Sequence, residues 1–234
     1  MCLSVPYWVK RCPAAPFGEY LPVRHTGCNP HFSAYFSTPS PVCVRIVDHE
    51  VCRNEKPMIK LEKFEFGDIA RLISWIPDEE FLMQWAGPQY SFPLTPEQVG
   101  VTYRDSQTKV PKNYMFKVIE KSSDDVIGHV ELIKVDRGMG SATLARVLVG
   151  EETLRGKGYG RDAIEKTLDF AFKKLKLREV ELGVYSFNKP AISLYKKLGF
   201  KKYKEVTYET DFDARFHHIV RMKLEKASWN SDRS

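Results

Sequence analysis

A glycine-rich turn between an apolar run and a helix is the feature that most constrains the fold of this chain. Residues 155–160 read Arg-Gly-Lys-Gly-Tyr-Gly, follow the strand-like run 144–149 and open a helix that continues past Phe172. Such a turn leaves backbone N–H groups unpaired, with the positive end of the helix behind them. Because glycines let a ligand reach the backbone, the turn predicts a phosphate or pyrophosphate site.

The turn alone is only moderately specific. No Lys-Ser or Lys-Thr pair closes it, so it is not a P-loop, and its glycines lack the spacing of the dinucleotide-binding fold. A helix start with a permissive turn is an equally good interpretation of these six residues. The choice between the two depends on the sequence that follows.

A second motif lies downstream. Asn188, Ala191, Tyr195, Gly199 and Phe200 fit the pattern Asn-x-x-Ala-x-x-x-Tyr-x-x-x-Gly-Phe. The glycine-rich turn before this motif fits the pattern Arg/Gln-x-x-Gly-x-Gly/Ala. With both motifs in this order, the chain resembles the GNAT superfamily of N-acetyltransferases over about residues 58–225. The resemblance implies an α+β fold, a mixed and mostly antiparallel sheet flanked by helices. In that fold the fourth and fifth strands splay apart, and the pantetheine arm of acetyl-CoA lies between them.

Hydrophobic periodicity from residue 58 onward agrees with this fold. It predicts the element order β-α-α-α-β-β-β-α-β-α-β-β. Thr95 and Pro96 have the character of a helix start, and Gly199 that of a helix stop. A closing hairpin is predicted from residues 206–208 and 216–224.

The first 57 residues differ in composition from the rest. They hold all five cysteines and eight of the 14 prolines, with no sustained periodicity. We predict an irregular or disordered extension over residues 1–57, an acetyltransferase domain over 58–226 and a tail over 227–234. Met58 is a candidate initiator, which would leave the upstream segment outside the native protein; a genuine but poorly structured extension is the alternative. The odd cysteine count without a Cys-x-x-Cys pair supports neither a disulfide framework nor a zinc site.

Net charge and hydropathy limit the classes of binding partner that we expect. The formal net charge of +6 suits a polyanionic ligand, and CoA is one. The chain carries no recognised nucleic-acid motif, no secretory signal and no run of roughly 18 apolar residues. We therefore expect a cytoplasmic protein that is a monomer or homodimer and binds neither nucleic acid nor membrane. Acetyl-CoA is expected as co-substrate without a metal, and the acceptor is a small-molecule or peptide amine.

The resemblance also assigns cofactor contacts. The turn would supply backbone donors to the pyrophosphate, the strand before it would polarise the thioester carbonyl through its backbone, and an asparagine would contact the pantetheine. The residues so assigned are Leu148, Val149, Gly150, Arg155, Gly156, Lys157, Gly158, Tyr159, Gly160, Arg161 and Asn188.

Catalytic roles follow the same resemblance. Tyr195 is the candidate acid for the leaving thiolate, because a phenol and a thiol are of comparable acidity; a packing tyrosine is the alternative. The strand before the turn offers no carboxylate for a base, so Glu131 on the preceding strand is our candidate, with Glu151 second. Either glutamate could instead be a surface charge, and an ordered water chain could deprotonate the amine.

The acceptor is not specified by the sequence. Aromatic residues of the early helices and the late hairpin are candidates for its site, with core packing as the alternative: Trp75, Phe81, Trp85, Tyr90, Tyr208 and Phe216. The sequence thus predicts an acetyl-CoA-dependent N-acetyltransferase. A catalytically silent acyl-CoA-binding module that regulates a partner is the alternative function.

Overall fold

Alternating apolar residues produce seven strands that pair into one sheet. A computed structural model of the chain describes residues 58–209 and 216–231, all within one compact unit. The expected extension at residues 1–57 lies outside the described residues.

The strands are β1 (Ile59–Lys63), β2 (Tyr114–Glu120), β3 (Val126–Asp136), β4 (Ser141–Val149), β5 (Glu179–Tyr185), β6 (Lys201–Glu209) and β7 (Phe216–Glu225). The helices are α1 (Ile69–Ser74), α2 (Glu79–Ala86), α3 (Pro96–Ser106), α4 (Tyr159–Asp169), α5 (Lys189–Lys197) and α6 (Lys226–Ser231). This order confirms the predicted one and adds a C-terminal helix.

The sheet has the order β1-β2-β3-β4-β5-β7-β6. All neighbouring strands run antiparallel except β4 and β5, which are parallel. This confirms the predicted mixed, mostly antiparallel sheet. β6 begins at Lys201, five residues before the predicted start of the hairpin, because the stretch after the Gly199 helix stop pairs at once with β7.

Helices cover the sheet on two faces. α4 and α5 pack on one face around Ile164, Leu168 and Phe172, which are fully buried. α1, α2 and α3 pack on the other face around residues such as Leu72 and Leu82. Because side chains alternate along a strand, β4 contributes to both cores, and its C-terminal end lies between the two helical layers.

The apolar stripe along α4 departs from regular α-helical spacing at its end. Ile164, Leu168 and Ala171 recur at helical spacing and are fully buried, but Leu175, the next residue in the series, is only half-buried. A π-helical turn at Phe170–Lys174 inserts an extra residue into the helical repeat and rotates Phe172 into the core instead.

The packed structure continues past residue 226. In α6, the Trp229 ring is buried and packs against Phe172, and its Nε1–H donates to Asp169 at 3.1 Å. A helix anchored by a buried tryptophan therefore occupies the first part of the expected tail.

Candidate active site

β4 and β5 separate near the middle of the sheet. They pair over only three positions, from Ser141 with Glu179 to Thr143 with Glu181. Beyond these positions a cavity of about 380 Å³ lies between the two strands, with Val147 among its lining residues. The structure thus contains the strand separation that the family resemblance implies.

A bulge in β4 accompanies this separation. Between the pairs His129–Leu148 and Glu131–Ala145, two residues of β4 oppose one residue of β3. Arg146, the first of those two residues, has a φ of +49°. A bulge bends its strand and increases the local twist, so it helps β4 to turn away from β5.

The end of β4 presents one of its predicted backbone donors to the gap. The N–H of Gly150 donates to Ile127 O on β3 at 2.9 Å. Because N–H groups alternate between the two edges of a strand, Leu148 also faces β3, whereas Val147 and Val149 face away from it. Of the three backbone donors predicted, only Val149 is available to a thioester, and Val147 is a second donor that the sequence analysis missed.

Gly150 is required for packing. A Cβ added to it would lie 2.2 Å from Cε2 of Trp75. The indole therefore lies directly on the backbone at the end of β4, which gives Trp75 a packing role.

The glycine-rich turn has the geometry of an anion site. Gly156 and Gly158 have φ values of +79° and +94°, and α4 begins directly after Gly158. The first N–H used after the turn is that of Asp162, which donates to Gly158 O at 3.1 Å. The N–H groups of the preceding helical residues are therefore not used within α4. A Cβ on Gly156 would meet nothing within 4 Å, so the turn is open to a ligand.

Arg155 has a different role from the predicted one. Its guanidinium donates to Val149 O at 3.2 Å and to Gly150 O at 2.9 Å, and it lies over the Phe81 ring. These contacts hold the turn against the end of β4, and they leave few N–H groups of the guanidinium to bind a phosphate. Arg155 thus holds the turn in place, and Phe81 supports it.

Among the other predicted side chains in and beside the turn, Tyr159 and Arg161 have partners and Lys157 has no ion-pair partner among the described residues. Tyr159 is buried and donates its hydroxyl proton to Glu120, which lowers the pKa of that carboxyl. Arg161 pairs with Glu165 at 3.0 Å on the surface. Lys157 is exposed and has no ion-pair partner among the described residues, so it is the cation best placed to meet a phosphate.

Asn188 and Tyr195 line the same cavity from the α5 side. Asn188 caps α5, since its Oδ1 accepts from the Ala191 N–H at 3.2 Å. Tyr195 is 9% exposed, and its ring meets Phe200 edge to face with centroids 5.7 Å apart. The structure therefore brings the predicted acid together with the gap-facing strand β4.

The cavity opens to both helical layers. Tyr195 belongs to the core on the α4 and α5 face, whereas Trp85 belongs to the core beneath α1, α2 and α3, and both residues line the cavity. The glycine-rich turn at the start of α4 lies on the first of these faces. The cavity lining therefore includes residues from both faces of the sheet.

Glu131 is unsuited to the role of base that the sequence predicts. It is fully buried, with Oε2 2.5 Å from Arg146 Nη2 and Oε1 2.9 Å from His129 Nε2. Burial by itself would raise the pKa of Glu131, but Arg146 and the His129 bond outweigh it and lower the pKa to about 2. A carboxylate stabilised in this way has little tendency to accept a proton. The ion pair joins residues of β3 and β4 and could not be predicted from the sequence.

The ion pair makes the stability of the domain depend on pH. A pKa lowered from 4.5 to about 2 means that the Glu131 charge stabilises the fold above pH 4.5. This contribution, about 3 kcal/mol, disappears as the pH falls through 2. We expect Glu131→Gln to lower the free energy of unfolding at pH 7 by a similar amount and to flatten its decline between pH 4.5 and 2. Urea unfolding across this range measures both.

The exposed Glu62 of β1 provides the control. Glu62→Gln removes a carboxylate of the same kind from the surface, and its stability should follow that of the wild type at every pH. An unchanged acid slope in Glu131→Gln would show that the buried pair contributes nothing to it.

Of the remaining base and acceptor candidates that the structure describes, Trp85 lines the cavity, whereas Glu151 and Tyr90 do not. Glu151 is exposed after the end of β4 and remains a prediction. Trp85 and Tyr90 are buried and stack at 6.3 Å, so Tyr90 is a core residue and Trp85 a cavity wall. The side chains of Tyr208 and Phe216 lie outside the part of the chain that the structure describes. None of the described residues that line the cavity is acidic.

Two further observations concern metals and membranes. The described residues do not bring three or more His, Cys, Asp or Glu side chains together in a way that could hold a metal ion. No helix in the described ranges combines the length and apolar character needed to cross a bilayer.

Comparison with known proteins identifies the family of the chain. The family model of the acetyltransferase (GNAT) domain matches residues 59–201. The prophage-derived uncharacterized N-acetyltransferase YokL of Bacillus subtilis is 40% identical over 88 residues, 37% of this chain and 49% of that protein. The spermidine N(1)-acetyltransferase of Vibrio cholerae is 31% identical over 107 residues, 46% of this chain and 61% of that protein. The chain thus spans about half to three-fifths of the length of these curated relatives.

A solved structure matches over a longer range. The crystal structure of spermidine N-acetyltransferase from Vibrio cholerae, in complex with CoA and spermine, superposes with a TM-score of 0.65. The match covers 75% of this chain and 99% of that one at 22% identity, so it bears on the fold alone.

Proposed function

The chain belongs to the GNAT acetyltransferase family, and we propose that it transfers an acetyl group from acetyl-CoA to a primary amine by direct attack on the thioester. The separated strand ends support this function above all. There a gap-facing backbone edge of β4 and the Tyr195 side chain meet at one cavity that opens to both faces of the sheet.

The turn at the start of α4 binds the pyrophosphate of acetyl-CoA. The N–H groups of Tyr159 and Gly160 donate to phosphate oxygens, and the helix dipole favours the negative charge. Lys157 adds an exposed cation beside them. Arg155 keeps the turn fixed against the end of β4, so the phosphate site and the thioester site hold a constant separation.

The chain's own groups then assist each part of the transfer. Acetyl-CoA supplies the thioester, and the N–H groups of Val147 and Val149 polarise its carbonyl oxygen. The neutral amine attacks the carbonyl carbon from the α2 face, so that a C–N bond forms and the C–S bond breaks. Tyr195 donates its proton to the departing sulfur. The proton of the amine passes to water, because the described lining of the cavity offers no carboxylate.

A panel of amines tests this function. We expect time-dependent release of free CoA with at least one amine, together with a mass increase of one acetyl group on that amine. Tight acetyl-CoA binding without acetylation of any amine would contradict the proposal. That outcome would favour a catalytically silent acyl-CoA-binding module.

We further propose that the acetyltransferase domain begins at Met58. β1 starts at the next residue, and the Met58 N–H donates to Asp162 Oδ2 at 2.8 Å. An amino terminus at this position would therefore meet a carboxylate rather than a packed surface.

A protein comprising residues 58–234 tests this boundary. It is expected to fold and to bind acetyl-CoA with the affinity of the full chain, because the patterned core starts at β1. Calorimetric titration with acetyl-CoA and a thermal unfolding curve measure the two properties. Insolubility, or a large loss of acetyl-CoA affinity, would show that the first 57 residues belong to the domain.

The compartment and assembly are proposals of the same kind. No cysteine occurs from residue 58 onward, which suits the reducing cytoplasm. A monomer or homodimer remains the expected state in solution.

A further inference from the structure

The α2 side of the cavity carries positive charge. Among its lining residues are Arg146 on β4, Arg221 on β7 and the exposed Lys134 on β3. The other polar groups on this side include the amides of Gln84 and Gln89. This is the side from which an acceptor must come, because the pyrophosphate site lies at the start of α4 on the opposite face.

Arg146 and Arg221 differ in their electrostatic state. Arg146 is buried and its charge is neutralised by Glu131 at 2.5 Å. Arg221 is half-buried, and it has no hydrogen-bond or ion-pair partner among the described residues. A partly desolvated guanidinium without a partner is a receptor for an anion, and its planar fork suits a carboxylate.

Gly183 lets the Arg221 side chain reach the cavity. The two residues are directly paired on β5 and β7. Their strand neighbours Val184 and Val220 belong to the core on the α4 and α5 face, so Gly183 and Arg221 face the other way. A Cβ on Gly183 would lie 3.4 Å from Nη1 and 3.6 Å from Cδ of Arg221, so the guanidinium lies across the glycine beside the strand gap.

We propose that Arg221 binds a carboxylate of the acceptor, so that the substrate is an amine that also carries a carboxylate. This inference rests on the proposed function. The similar spermidine acetyltransferases are named for a substrate that carries several amines and no carboxylate. Such a cationic substrate would meet a like charge at Arg221, and the described lining holds no acidic residue to offset it.

Matched pairs of acceptors test the proposal. Amino acids with the amine at different distances from the carboxylate are each compared with their own carboxamide, and spermidine is included. The amine of a carboxamide is the more readily deprotonated of the two, so a preference for the acid reports recognition. We expect the wild type to favour the acid by roughly 10- to 100-fold in kcat/KM, as expected for a charge-assisted pair.

Arg221→Gln is expected to abolish this preference while leaving acetyl-CoA affinity unchanged. Arg221→Lys should restore part of it, because the charge returns without the fork. Lys223→Gln is the matched control: it removes a cation from the same strand and face, two residues away, where Lys223 lies 3.5 Å from Glu179. The control should keep the wild-type preference.

The outcomes separate the two proposals. If amines are acetylated but Arg221→Gln keeps the acid preference, or if spermidine is the best acceptor, carboxylate recognition is wrong and the acetyltransferase function stands. If acetyl-CoA binds and no amine in the panel is acetylated, the function fails, and carboxylate recognition fails with it.

Discussion

Replacing Gly158 by Asp is expected to lower the affinity for acetyl-CoA by roughly 1,000-fold. Gly158 precedes the first residue of α4, so the new carboxylate would lie where the pyrophosphate meets the backbone. Two like charges about 4 Å apart near a protein surface repel each other by on the order of 4 kcal/mol. Calorimetric titration with acetyl-CoA measures the loss, and circular dichroism with a thermal unfolding curve shows whether the domain is still folded.

Asn at the same position is the matched control for this change. Gly158 has a φ of +94°, a conformation that strains most side chains but that Asn and Asp both tolerate better than other residues. The two variants therefore share the backbone strain and the contact with the Met58 methyl group, which a Cβ would approach to 3.2 Å. Gly158→Asn should lose much less affinity than Gly158→Asp. Equal affinities in the two variants would mean that no phosphate lies at this turn.

Most of the fold could be predicted because local sequence signals determine it. Hydrophobic periodicity predicted the strands, and Thr95, Pro96 and Gly199 marked helix ends by their backbone chemistry. The separation of β4 from β5 could not be derived in this way. It coincides with a bulge at Arg146, which lies in the left-handed region of φ. Because this position is an arginine and not a glycine, the sequence does not indicate the bulge. Only the family resemblance anticipated the gap.

The positions of the backbone elements around the candidate site were predictable from the sequence, whereas the partners of its charged side chains were not. The motif places the turn and α5 correctly because glycine, proline and caps specify the backbone. Glu131 pairs with Arg146 on the neighbouring strand, and Arg155 folds back to contact the end of β4. Neither contact can be predicted from the spacing of these residues along the chain. Arg221 was missed for the same reason: its significance comes from Gly183 on a neighbouring strand.

A second large effect is expected at Tyr195. Tyr195→Phe should lower the rate of acetyl transfer by roughly 10²- to 10⁴-fold, as is typical when a positioned general acid is removed. The affinity for acetyl-CoA should stay the same, because Phe keeps the ring and its edge-to-face contact with Phe200. Single-turnover measurements of the chemical step, together with acetyl-CoA titration of the same variant, separate rate from binding.

Tyr103→Phe provides the comparison for loss of a phenol hydroxyl. Tyr103 is half-buried on α3 against Phe64 and Phe66, away from the cavity lining, and its variant should react at the wild-type rate. If Tyr195 only packs, its variant will behave like Tyr103→Phe, with unchanged turnover and at most a small loss of stability. The departing thiolate would then take its proton from water, as the amine gives its proton to water. If Tyr195 is the acid, the rate falls in the Tyr195 variant alone, since of the two tyrosines only Tyr195 lines the cavity between β4 and β5.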